Sequence, residues 1–458
     1  MTLTVSQRSA DHLVVQRGSP LAALSRVAAE LSDRRMWAQA ETLYRYVIAQ
    51  EPGNARALNN LSIVRACLGD LDEAIRLSKQ CVALRPEDVQ YRTNLATKLM
   101  DLGRFAEAEA EYRNALTIDP DQVHANGSLG ILLLRTGRFR EAWAHYLKRE
   151  RPKRYSFLAE APAPWQGQDL VGKSLLILGE QGLGEAFQIA RLFPRITALC
   201  SEVTFVCEPR LAGLFQRSFP TVQLISQDDR KAISDAAAAA DCTVYMMDLL
   251  SGLAPDGRPA GSMQTCLKPD AARVATLRRG YLNKFPGKRL IGFTWSTSSS
   301  FKQAARTIPV PEWREILSRG DCQFFSLQYG SDPAVLQAAA SKLGVSIEID
   351  PTVNARNDID GLAAQICALD QIISIDNTTV HLAGALGKPV WTLLMKYPHW
   401  LWGLKGARSH WYPSMRLFRQ KQDGAWSPVL DKVSRSLDGI DQPAVISAPY
   451  RGKLRRPA

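Results

Sequence analysis

The chain has 458 residues and a formal charge of +12, from 57 Lys and Arg against 45 Asp and Glu. Hydrophobic residues make up 46% and charged residues 22%, the balance of an ordinary globular protein, and the length suits about three domains. Wholesale disorder and a fibrous repeat are excluded. No run of 18 apolar residues is present, and the opening MTLTVSQRSADHLVVQRG holds no apolar stretch long enough for a secretory signal, so a cytoplasmic location is expected. The eight cysteines include no C-x-x-C pair and the six histidines no H-x-x-x-H pair, which favours buried thiols over a disulfide framework and gives a metal site no support.

Residues 1–18 read as a flexible N-terminus. From residue 19 the chain repeats. Prolines 52, 86 and 120 and glycines 69, 103 and 137 are each spaced by 34, and three further columns share the register: Ala40, Ala74, Ala108 and Ala142; Leu61 and Leu95 with Leu129; and Trp37 and Leu71 with Phe105 and Phe139. A 34-residue period with a mid-repeat Gly and a closing Pro is the tetratricopeptide (TPR) pattern of one helix–turn–helix per repeat. Gly ends the first helix, Ala admits the second closely, and Pro stops it. Repeats are expected at about 19–52, 53–86, 87–120 and 121–150.

A Pro-rich, charged segment, 151–168, reads as a linker. Short apolar runs then alternate with helical spacing: 174–180, 203–209 and 222–226, followed by 290–296, 322–328, 345–350, 371–376 and 389–395. This βαβα order predicts parallel sheets in two Rossmann-like units, 169–285 and 286–437, with ligands at the carboxyl ends of the strands. The expected fold class is therefore an N-terminal all-α TPR superhelix followed by two Rossmann-like α/β domains. Residues 438–458 form a basic tail; from 403 onward the chain carries 11 basic and 4 acidic side chains. An anionic lipid surface or an acidic sugar donor would suit that charge, whereas no aromatic-basic module points to nucleic acid.

Four segments stand out chemically. In GEQGLGEAFQIAR (179–191) a strand runs into a glycine-rich turn whose Gly182 and Gly184 would admit a ligand to backbone N–H groups, with Glu185 in the first helical turn. Its G-x-x-G-x-G spacing is not the dinucleotide fingerprint, and a plain βα turn with a favourable first-turn acid fits equally. In SIDNTTVHLAGALGKPVW (374–391), Asp376, Asn377, Thr378 and Thr379 stand before a helix whose N-terminus suits a diphosphate. His381 in that helix fits a structural or a catalytic role. In FTWSTSSSFKQAARTIPVPEW (293–313), hydroxyls including Ser298 and Ser299 precede Lys302 and Arg306, which suits phosphate oxygens or simply exposed surface. The aromatics Tyr397, Trp400, Trp402, Trp411 and Tyr412 suit sugar or base stacking and a hydrophobic latch equally well.

With the TPR array, the motifs G-E-Q-G-L-G-E, W-S-T-S-S, S-L-Q-Y-G, N-T-T-V-H-L-A-G-A-L-G-K-P-V-W and W-Y-P-S-M-R-L-F-R-Q resemble the bacterial TPR-containing glycosyltransferases, whose catalytic half is GT-B and similar to the heptosyltransferases. The resemblance covers roughly residues 20–437. It implies an inverting, metal-independent transfer of a sugar from a nucleotide-sugar to an acceptor hydroxyl, with 169–285 on the acceptor side and 286–437 on the donor side. It makes Glu185 the catalytic base, although that family usually has Asp there. Arg306 becomes the phosphate-binding cation, Asp376, Asn377, Thr378, Thr379 and His381 the donor segment, and Trp295, Ser298, Ser299, Lys302 and Gln328 further donor-binding positions. No cofactor beyond the co-substrate is implied. Asn60 and Asn94 share a repeat position and resemble the asparagine ladder that grips peptide in O-GlcNAc transferase, which implies a protein acceptor on the concave face, flagellin being one candidate. A homodimer is also compatible with TPR faces. The alternatives are a non-catalytic TPR adaptor with a degenerate GT-B half, and a glycosyltransferase acting on a glycolipid or polysaccharide.

Overall fold

The computed structural model describes residues 19–158, 165, 167–180, 182–258, 265–298 and 303–439. It divides into two compact units, 1–150 and 151–458. Ser299, Lys302 and residues 440–458 of the basic tail lie outside the described residues.

Among the described residues, the first unit is a run of eight helices: α1 (Pro20–Asp33), α2 (Trp37–Gln50), α3 (Ala55–Cys67), α4 (Leu71–Leu84), α5 (Val89–Asp101), α6 (Phe105–Ile118), α7 (Val123–Arg135) and α8 (Phe139–Tyr146). The glycine column ends the first helix of each pair. Gly69, Gly103 and Gly137 adopt φ of 91°, 80° and 84°. The following residue then donates back across the last turn, as Asp70 N–H does to Arg65 O at 3.0 Å, Arg104 to Leu99 at 2.9 Å and Arg138 to Leu133 at 2.9 Å. At the same position in the first pair stands Arg35, with φ 59°, so the column continues into a residue whose side chain pays a steric penalty there. Each proline lies just past the C-cap of α2, α4 or α6.

One column not evident from the pattern of large residues sets how closely the helices cross. Ala28, Ser62, Ala96 and Gly130 are all buried and stand 34 apart. At Gly130 a Cβ would lie 2.7 Å from the backbone nitrogen of Tyr146 on α8, a contact that backbone cannot give way to. Gly130→Ala should therefore destabilise the array by about 1–3 kcal/mol, the range for overpacking a tight core. Thermal denaturation of the variant measures this, and an unchanged midpoint would show that α7 and α8 can separate freely.

Among its described residues, the second unit contains two parallel sheets. Its first half runs β1 (Ser174–Leu178), α9 (Leu183–Ile189), α10 (Phe193–Leu199), β2 (Glu202–Cys207), α11 (Ala212–Ser218), β3 (Val222–Ser226), α12 (Arg230–Ala239), β4 (Cys242–Tyr245) and α13 (Leu249–Leu253). Its second half runs α14 (Ala271–Lys284), β5 (Arg289–Thr294), α15 (Gln303–Arg306), α16 (Arg314–Leu317), β6 (Cys322–Ser326), α17 (Pro333–Leu343), β7 (Ile347–Glu348), α18 (Ile359–Ala368), β8 (Gln371–Ile375), α19 (Thr378–Ala385), β9 (Val390–Leu394), β10 (Met415–Arg419) and α20 (Ser427–Leu437). The strand orders are β3-β2-β1-β4 and β10-β9-β8-β5-β6-β7, with every pair parallel. The second is the doubly wound 3-2-1-4-5-6 order, whose switch point lies between β5 and β8; the first reverses between β1 and β4.

Two strands were not evident in the sequence. β4 is only four residues long, and its register rests on Asp241, whose carboxylate accepts from the Ser174 N–H (2.8 Å) and hydroxyl (2.9 Å). β10 was hidden inside the aromatic and basic cluster. The run at 345–350 shrinks to a two-residue edge strand. The segment expected as a linker also differs from expectation. Tyr155 and Trp165 are buried in the second unit. The Tyr155 hydroxyl donates to Gly179 O at 2.5 Å, and the Trp165 N–H donates to Thr243 O at 2.8 Å. Two aromatics recover more from burial than a Pro-rich composition suggests.

Candidate functional site

The switch points of the two sheets supply the predicted residues. At the end of β1 the chain passes Gly179, whose N–H donates to Val206 O at 3.0 Å and whose Cβ, if present, would sit 2.5 Å from that same oxygen. None of Gly179, Gly182 and Gly184 has a positive φ. These glycines are needed for close approach rather than for a left-handed turn. Gly182 is the N-cap of α9, and the Glu185 carboxylate folds back over it, with Oε2 3.3 Å from where its Cβ would be.

Glu185 is half-buried, and its carboxyl pKa is pushed up to about 6. Burial is the main cause. The N–H groups of Glu185 and Gly182 oppose it, and the negative charges of Asp376 and Glu180 add to it. Glu180 was not singled out by the sequence. It is buried, and its Oε1 accepts from the Met247 N–H at 3.0 Å, which ties the end of β1 to the chain leaving β4.

On the other sheet, β8 leads into α19. Asn377 caps that helix, accepting from the Thr379 N–H at 3.0 Å, and its amide donates to Thr294 Oγ1 (2.8 Å) and Ser296 O (3.2 Å) beyond β5. The cap thus also clamps the two strands of the switch point. Gln328, after β6, accepts from the N–H groups of Trp295 (3.2 Å) and Ser296 (3.0 Å) and shapes the same loop. Arg306, buried at the end of α15, donates to the Asp376 carbonyl and lies 3.9 Å from its carboxylate. Thr378 is partly exposed, and the buried Thr379 hydroxyl has no hydrogen-bond partner among the described residues.

The two helices meet at their first turns. A Cβ on Gly184 of α9 would lie 3.1 Å from His381 Cδ2 on α19. His381 is half-buried; burial, reinforced by Arg306 and opposed by Asp376, draws its pKa down to about 4, so the ring is neutral near pH 7. The structure therefore brings Gly182, Gly184, Glu185, Asp376, Asn377, Thr379, His381 and Arg306 to one place. Chemically, a carboxylate ionised at neutral pH stands beside a neutral imidazole, a helix N-terminus and a guanidinium.

Other predicted residues serve differently. Trp295 is buried against Phe293, ring centroids 5.2 Å apart, so its indole belongs to the core. Ser298 is exposed on the loop after β5. Asn60 and Asn94, in the first unit, are both buried and already engaged: Asn94 donates to Asn59 Oδ1 at 2.9 Å, Asn59 to Asn60 Oδ1 at 3.4 Å, and Asn60 to Tyr44 Oη at 3.2 Å. Of the aromatic cluster, Trp400, Trp402, Trp411 and Tyr412 are buried, and Trp402 and Tyr412 contact His381. Arg191, buried one helical stretch beyond Glu185, lies 5.9 Å over the Tyr412 ring; nothing in its sequence context marked it.

Residues 27–88 and 93–155 match the model of the tetratricopeptide repeat family. Protein FlbA of Caulobacter vibrioides is 32% identical over 287 residues, which is 60% of this chain and 48% of that protein; the chain spans about half the length of the relative it matches. Among solved structures, the glycosyl transferase family 9 protein from Veillonella parvula DSM 2008 is similar over 60% of this chain and 92% of its own, with 11% identity and a TM-score of 0.43. MamA is similar over 28% of this chain and 75% of its own, with 18% identity and a TM-score of 0.27. The chain is thus a tetratricopeptide-repeat array followed by a unit of two parallel α/β sheets. Among the described residues, no helix is long and apolar enough to cross a membrane.

Asn377 offers a direct check on how the site is held. Asn377→Ala removes a helix cap and two buried hydrogen bonds, and should cost about 1–3 kcal/mol in denaturant unfolding. A loss below about 0.5 kcal/mol, within the range of ordinary surface substitutions, would mean that α19 is anchored by packing alone.

Proposed function

We propose that the second unit is a GT-B glycosyltransferase that moves a sugar from a nucleotide-sugar to an acceptor hydroxyl, with inversion, and that the repeats recruit a protein acceptor. The observation that carries this reading is Glu185: a carboxylate with its pKa raised to about 6, at a strand-to-helix turn, against the helix whose N-terminus is capped by Asn377. Perturbed acids placed at switch points are candidates for general bases.

In this scheme Glu185 takes the proton from the acceptor hydroxyl as its oxygen attacks the anomeric carbon. The bond to the nucleoside diphosphate breaks, and negative charge grows on its oxygens. The N-terminus of α19, Thr378, Thr379, the His381 imidazole and the Arg306 guanidinium supply donors and positive potential for that charge. These groups do the work without a metal ion in the scheme. The acceptor sits on the side of the first sheet and the donor on the side of the second. The repeats supply a protein-binding surface, as arrays of this kind do, and flagellin is one acceptor that would fit a recruitment role.

Glu185→Gln keeps the side chain's shape and removes the base. Turnover with a nucleotide-sugar panel should fall about 10²–10⁴-fold while donor affinity is retained. The pH dependence follows from the same group: wild-type kcat/KM should drop as the pH falls through about 6, because protonation removes the base, and the variant should lack that limb. His381, neutral down to about pH 4, does not supply it. Near-normal transfer by Glu185→Gln would place the base elsewhere.

Deleting residues 1–150 tests the role of the repeats, since the two units are separately compact. Slow donor hydrolysis should persist in the truncated protein while transfer to a protein acceptor is lost. Full transfer without the repeats would remove the recruitment role and favour a glycolipid or polysaccharide acceptor.

A further inference from the structure

The segment W-Y-P-S-M-R-L-F-R-Q has no part in the scheme above, yet it forms the wall against which His381 rests. Tyr412 is wholly buried ahead of β10. Its N–H and that of Trp411 both donate to Ser409 Oγ at 3.1 Å, which fixes the turn. Its ring presses on α19 so closely that a Cβ on Gly384 would lie 2.5 Å from Tyr412 Cγ. Its hydroxyl lies 3.1 Å from His381 Nδ1. On another side of the imidazole lies Trp402, ring centroids 5.1 Å apart and 35° from parallel. The loop bearing Trp402 is gathered by Arg419, which donates to the carbonyls of Trp402 (2.5 Å), Gly403 (2.9 Å), Lys405 (3.3 Å) and Gly406 (2.7 Å). Of the two ring nitrogens, Nδ1 is thus the one that faces the Tyr412 hydroxyl.

The hydrogen bond between the two rings has a preferred direction. A phenol is a good donor and a poor acceptor, while the bare nitrogen of a neutral imidazole is a strong acceptor. Donation from Tyr412 to Nδ1 leaves the ring proton on Nε2. The opposite tautomer would leave Nε2 with a bare lone pair, which repels any anion brought to it.

We propose that Tyr412 is a positioning residue that donates to Nδ1 and so holds the His381 proton on Nε2, as a donor to an oxygen of a diphosphate at the α19 N-terminus. The last step rests on the reading of that N-terminus given under the proposed function; the assignment of the tautomer does not. Gly384 and Arg419 support the arrangement, the first by admitting the Tyr412 ring and the second by holding Trp402 in place.

The test is nitrogen-15 NMR on the full-length chain labelled at its six histidines, with the His381 signals identified by their loss in His381→Asn. In the wild type at neutral pH, Nδ1 should be unprotonated and Nε2 protonated. Tyr412→Phe, which keeps the ring and its packing, should show a mixture of tautomers. A wild-type proton on Nδ1, or a spectrum unchanged in Tyr412→Phe, overturns the proposal. Binding of inorganic pyrophosphate, measured by calorimetry, should weaken roughly tenfold in Tyr412→Phe, as expected for a misdirected charged hydrogen bond. Unchanged pyrophosphate affinity beside a scrambled tautomer overturns the donor role of Nε2. Failure of the wild type to bind pyrophosphate at all overturns the diphosphate site itself, and leaves the tautomer result to be judged by NMR alone.

Discussion

The contact between Gly184 and His381 is the constraint on which the second unit's site depends. Two short helices, one from each sheet, approach so closely that residue 184 can carry no side chain without pressing on the imidazole. Because α9 and α19 meet at their first turns, the acid of one helix lies in the field of the acid that precedes the other, and Asp376 adds to the elevation of the Glu185 pKa. The same approach removes water from the imidazole and keeps it neutral. The close approach thus contributes to the electrostatics of both residues, alongside burial by Trp402 and Tyr412 on the imidazole side.

Around that contact, polar groups fix the frame. Asn377 joins α19 to the loop after β5, Gln328 shapes that loop, and Glu180 ties β1 to the segment after β4. Each buries a polar side chain with its hydrogen bonds made, which stabilises a single geometry. Preorganisation of this kind is what a site needs if charge is to be met by donors already in place.

The repeats follow a different logic. Their period places small residues where helices cross and left-handed glycines where they turn, but the interior also holds polar groups. Lys98 is fully buried, its ammonium donates to Asn94 O at 3.2 Å, and burial draws its pKa down to about 8. Asn59, Asn60 and Asn94 form a chain of amide hydrogen bonds between neighbouring repeats. Asn60 and Asn94, which share a repeat position, thus join one repeat to the next. Any ligand that used them would have to exchange bonds already made, and a peptide backbone, which offers both donors and acceptors, is suited to such an exchange.

Local pattern determined the repeats, because a 34-residue period, a glycine with positive φ and a closing proline act within a few residues of themselves. It also marked most strands, the glycine-rich turn with Glu185, and the capped helix with His381, since strand-to-helix turns announce themselves by composition. The docking of Tyr155 and Trp165, the strands β4 and β10, and the parts played by Glu180, Arg191 and Tyr412 were decided only in three dimensions. Each depends on partners distant in sequence: Tyr155 on Gly179, β4 on β1 through Asp241 and Ser174, Tyr412 on His381 and Gly384. Periodicity reports which face of an element is apolar, not which element will cover it. For that reason the glycine at 184 reads as a turn residue in the sequence, and only the folded chain shows that its missing side chain makes room for an imidazole.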